Sequence, residues 1–160
     1  MKKILLIVAV CAVTIACKAA TVSWGAVNLY GPDGVNKYTG TVELLAVVAG
    51  GDIANASTVE SVTASATGAV SNHTVDWTSA VVGQSYDFYY QLSSGDKSLV
   101  SSSLSAVASD VGAMTVAFGN QANYTKATGN WKDGGSVPEP TTGLLVLLGM
   151  AGLALKRKVA

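Results

Sequence analysis

Ser85-Tyr86-Asp87-Phe88-Tyr89-Tyr90-Gln91-Leu92-Ser93 alternates as an extended strand should. Successive side chains of a strand point to opposite faces, so Phe88 and Tyr90 share one face and Tyr86 joins them. Such a row either fills a small β core or, if exposed, stacks on sugars. We read it as core. Neighbouring stretches repeat the pattern: Thr21 to Tyr30, Tyr38 to Ala49, Ala69 to Trp77, Ser98 to Ala106 and Thr115 to Gly119. Turn signals part them at Gly31-Pro32-Asp33-Gly34, Gly50-Gly51-Asp52, Ser94-Gly95-Asp96-Lys97 and Asp110-Val111-Gly112. Short strands at this spacing predict an all-β domain, a small antiparallel β-sandwich or barrel. One short helix is expected at Ile53 to Ala64, with Asp52 as N-cap and Val59 and Val62 facing inward.

The chain has 160 residues, only 12% charged, with formal net charge zero and mean hydropathy +0.40. The neutrality hides a division. Lys2, Lys3, Lys18, Lys156, Arg157 and Lys158 crowd the two ends. Between residues 20 and 136, four lysines face nine acids, a balance of −5. A mildly acidic body without clustered cations excludes nucleic acid as a partner. Both cysteines, Cys11 and Cys17, lie in the first apolar segment, so the body can hold neither a disulfide nor a thiolate metal site.

Met1-Lys2-Lys3 is a cationic start, and Ile4 to Ala16 an apolar run too short to cross ~30 Å of hydrocarbon comfortably. Small residues at Cys17 and Ala19 fit a signal-peptidase site, predicting a signal peptide over 1–19 and cleavage between Ala19 and Ala20. Thr14-Ile15-Ala16 before Cys17 leaves a lipoprotein reading open. The body then spans 20–130, and 131–136 reads as a linker.

Residues 137–160 are tripartite. Pro138-Glu139-Pro140 cannot join a regular helix. The run Gly143-Leu144-Leu145-Val146-Leu147-Leu148-Gly149-Met150-Ala151-Gly152-Leu153-Ala154-Leu155 reads as a transmembrane helix, short for a span. Lys156-Arg157-Lys158 should stay cytoplasmic, leaving the body outside. These three parts, in this order, resemble the PEP-CTERM sorting signal. The resemblance implies recognition and cleavage by an exosortase, with transient membrane anchoring before release to the cell surface or beyond. It also implies bacteria with an outer membrane, many of which make extracellular polysaccharide, a further partner to expect.

No residues of the body announce catalysis. His73 is the only histidine, and no G-x-S-x-G elbow accompanies the serines. Asp33-Gly34-Val35-Asn36 and Asp96-Lys97 lack the alternating ligands of a calcium loop and read as turns. No cofactor or metal is expected. The expectation is a non-enzymatic, exported surface or matrix protein. Two alternatives stay open: a carbohydrate-binding module, supported by the aromatics (Trp24, Trp77 and Trp131 included), and a glycan hydrolase using paired acids.

Overall fold

A computed structural model describes residues 19–133. The signal segment before Ala19, and the sorting motif, apolar run and basic cluster after Asp133, lie outside the described residues. The described chain is all β, apart from one short helix and two 3-10 turns. Its strands are β1 (Ala20–Val27), β2 (Thr41–Val48), β3 (Ser57–Thr63), β4 (Val70–Trp77), β5 (Ser85–Ser94), β6 (Lys97–Val100), β7 (Leu104–Val107), β8 (Ala113–Asn120) and β9 (Lys132–Asp133). Helix α1 covers Ala122–Lys126. One sheet runs β4-β1-β8, and the other β3-β2-β5-β6-β9 with β7 also paired to β5.

The two sheets share one core. In β1 the odd-even alternation is complete: Ala20, Val22, Trp24 and Ala26 are buried. Opposite them, β5 buries Tyr86, Phe88, Tyr90 and Leu92, the face its sequence alternation assigned. The aromatic contacts bridge the layers. Trp77 of β4 meets Tyr86 edge-on at 4.6 Å and Phe88 at 5.7 Å. Tyr90 meets Phe118 of β8 at 5.0 Å, nearly perpendicular. Edge-to-face geometry suits the ring quadrupoles, so the rings both fill volume and fix the layers' relative position.

Three expectations need correction. The ladders are antiparallel except for β1 and β8, which pair in parallel. A hairpin would force antiparallel pairing, but the chain reaches β8 only after crossing the other sheet, so no hairpin sets its direction.

The helix expected at Ile53 to Ala64 is a strand after its first turn. Asp52 does cap, its carboxylate accepting from Ala54 N at 3.0 Å. The helical turn ends at Asn55, however, and β3 begins at Ser57. Thr58, Val59, Val62 and Thr63 are stiff at χ1 and favour a pleated edge beside β2. Both Val59 and Val62 still pack on the core, although three residues apart. The β2–β3 register slips at Val59, and this bulge reverses the facing pattern between them.

The strand expected from Ser98 to Ala106 is broken into β6 and β7. Ser101 causes the break. Its hydroxyl takes the Tyr90 N–H at 2.9 Å, while its own N–H donates to Tyr90 O at 3.0 Å. A side chain thus replaces a backbone acceptor in the ladder, and the register against β5 shifts by one.

Candidate functional site

The C-terminal exit is built into the larger sheet. Trp131 is 6% exposed and packs its ring against Tyr38 at 6.0 Å. Tyr38 is itself anchored, its hydroxyl within donating distance of two carbonyls, Thr41 O at 2.6 Å and Ser93 O at 2.8 Å. The next two residues form β9, pairing Ser98 with Lys132 and Lys97 with Asp133. Residues 131–133, assigned to the linker by sequence, therefore belong to the fold. The Trp131 indole N–H is buried and has no hydrogen-bond partner among the described residues. Ladder and ring together hold the chain at Asp133, and only Gly134 and Gly135 separate that point from residue 136.

At the other end Ala20 is fully buried and pairs with Trp77, so β1 starts at the residue following Ala19. Pro138, Glu139 and Pro140, the Gly143–Leu155 run and Lys156-Arg157-Lys158 are outside the described residues.

The aromatics that favoured a sugar platform are elsewhere engaged. Trp24, Trp77, Trp131, Tyr86, Phe88 and Tyr90 are all core residues. Burial raises the Tyr90 phenol far above its usual range, first by desolvation and then by neighbouring Tyr124. Among the acids, Asp33 is used by its own turn: one oxygen accepts from Val35 N and Asn36 N, the other from Asn36 Nδ2. Those bonds lower its pKa, the Val35 N–H most. Asp96 sits in the two-residue hairpin between β5 and β6, where Gly95 supplies the positive φ of 61°. Among the described residues no three His, Cys, Asp or Glu side chains gather as metal ligands would.

Two clusters escape sequence reasoning. Glu60 of β3 accepts from Trp24 Nε1 at 2.7 Å through one oxygen and lies 2.8 Å from His73 Nδ1 through the other. Its partners are remote in the chain: cross-strand pairing sets Trp24 beside His73, and the packing of β3 on β4 brings Glu60 to both.

The second cluster is cationic. Lys37 Nζ lies 4.0 Å from the Tyr30 ring centroid and Lys126 Nζ 4.5 Å. Tyr30 and Lys37 face each other in an isolated bridge. Lys126 arrives from α1, whose Thr125 hydroxyl accepts from Tyr30 N at 3.1 Å. Gly34 makes this close approach possible: its φ is +65°, and a Cβ there would stand 2.7 Å from Lys126 O. The Tyr30 phenol pKa is lowered, chiefly by its hydrogen bond with Lys37 and further by the charge of Lys126. Beside Lys37 opens a groove of about 510 Å³, lined also by Asp33, Asn36, Thr39, Ser93 and Ser94 among others.

Against known families, the model for the PEP-CTERM protein-sorting motif matches residues 136–158. The chain therefore carries an exosortase-type sorting signal two residues beyond β9. No curated protein and no solved structure matches the chain.

Proposed function

We propose that this chain is an exported cargo: a β domain delivered to the cell surface or extracellular matrix, with no chemistry of its own. The PEP-CTERM motif carries the reading, since it implies export, a membrane-anchored intermediate and an exosortase as processing partner. Signal peptidase removes 1–19 and leaves β1 whole, because that strand begins at Ala20. The Gly143–Leu155 run then holds the protein in the membrane, with Lys156-Arg157-Lys158 inside. Glu139 is the only charge between Asp133 and Lys156, so it stays at the outer interface rather than entering hydrocarbon. Its flanking prolines disfavour regular helix, which suits recognition of this stretch by a protease-like enzyme. Cleavage beside the motif spares the domain, whose last ladder bonds close at Asp133.

The test replaces Pro138, Glu139 and Pro140 with alanine in an exosortase-positive host. Membrane insertion should persist while full-length protein accumulates. Processing and release at the normal rate would reduce the tail to a plain anchor.

A further inference from the structure

Lys37 and Lys126 are two of only four basic side chains between residues 20 and 136, a region that carries nine acids. Both converge on one aromatic ring, although 89 positions separate them in the chain. Neither ammonium makes an ion pair among the described residues, whereas Lys97 lies 3.6 Å from Asp133. Lys37 instead donates to the neutral Asn28 Oδ1 at 2.8 Å. Asn28 is held in turn by its amide bond to Asn120 Oδ1 at 3.1 Å. The nearby carboxylate of Asp33 accepts three turn hydrogen bonds and keeps its negative charge, but it makes no ion pair with either ammonium among the described residues. Like charges gathered on one ring, with no carboxylate at ion-pair distance among the described residues, repel each other. An anion bound at the pair would offset that repulsion and gain charge-assisted hydrogen bonds.

The groove beside Lys37 extends this site. Its lining is mixed, with the Asp33 carboxylate and with amide and hydroxyl groups from Asn36, Thr39, Ser93 and Ser94 suited to ring hydroxyls. About 510 Å³ falls within the usual size of small-ligand sites. Two ammonium groups on an aromatic ring, one of them that of Lys37 at the edge of a groove with amide and hydroxyl groups, match a sugar unit that carries its own acid group.

We propose that Tyr30, Lys37 and Lys126 form a binding site for an acidic saccharide, its anionic group held by the two lysines and its hydroxyls lying in the adjoining groove. The site is separate from the buried aromatic row and does not depend on how the tail is processed.

The test measures binding to the full-length chain in detergent by calorimetry. Three probes are used: a short oligogalacturonate, a neutral oligosaccharide of equal length, and inorganic phosphate. The oligogalacturonate should bind, more weakly as salt rises, and the neutral sugar should not. The double variant K37Q/K126Q should lose about tenfold or more in affinity, and K97Q should not change it. Lys37 also supports Asn28, so the exposed Lys126 is tested alone. K126E should abolish binding without altering the circular dichroism spectrum. The proposal is overturned if oligogalacturonate does not bind, if K126E binds as the parent does, or if phosphate binds as tightly as the saccharide.

Discussion

Glu60 stands on β3 of the larger sheet, yet both of its oxygens serve the smaller one. The two bonds differ in worth. Trp24 is 1% exposed, so its indole N–H would be left buried and unpaired without Glu60. The His73 side chain is 48% exposed, and water can replace its partner. Glu60→Ala should therefore cost about 1–3 kcal/mol, and His73→Ala less than about 1 kcal/mol, in urea unfolding. Equal losses would mean that the imidazole, not the indole, carries the link. Asp87 gives the pH dependence. Its carboxylate accepts from the Ser105 hydroxyl at 2.5 Å and from Gly50 N at 2.9 Å, and its pKa is lowered, Ser105 acting most. Because the folded value lies below the unfolded one, this contribution is full above the unfolded pKa. It is lost as pH falls through the folded pKa. Melting temperature should fall on acidification below the ordinary carboxylate range, and Asp87→Asn should make that fall shallower. An unchanged acid limb in the variant would remove Asp87 from the account.

Among the elements, β9 is the smallest and Trp131 is its anchor. Trp131→Ala should destabilise the domain by about 3–5 kcal/mol, since a large ring leaves the core. Trp131→Phe should stay within about 1 kcal/mol of the parent, because it also removes a buried donor that has no partner among the described residues. Denaturant unfolding followed by Tyr and Trp fluorescence measures both. A Phe variant as damaged as the Ala variant would show that the indole N–H has a partner after all. Much of the strand set was legible because burial on one face enforces alternation, as β1 and β5 show. The failures share a cause. In Ser57–Thr63 a bulge scrambles the period, so valines three apart looked helical. At Ser101 a hydroxyl imitates backbone, which no hydropathy pattern records. The parallel β1–β8 pairing and the β9 strand depend on partners far along the chain. The Tyr30 cluster was invisible for the same reason: nothing in the spacing of Lys37 and Lys126 says that α1 packs on the Gly34 turn.

At the scale of the whole molecule, charge and apolarity are sorted by position. The acidic body lies between two apolar runs with basic flanks, and the sorting motif follows the folded part after Gly134-Gly135. The tail was legible because its three parts are contiguous, so no folding is needed to assemble them. The β domain offers no such contiguous signal, and its surfaces emerge only from the fold. The account rests on the domain being released whole from both ends. Intact-mass spectrometry of the mature protein from an exosortase-positive host tests this most directly. The predicted species begins at Ala20 and retains everything through Asp133. It lacks the Gly143–Leu155 run, and in an exosortase-deficient host the run stays attached. A mature protein that keeps Leu155 and the basic cluster in both hosts would contradict the account.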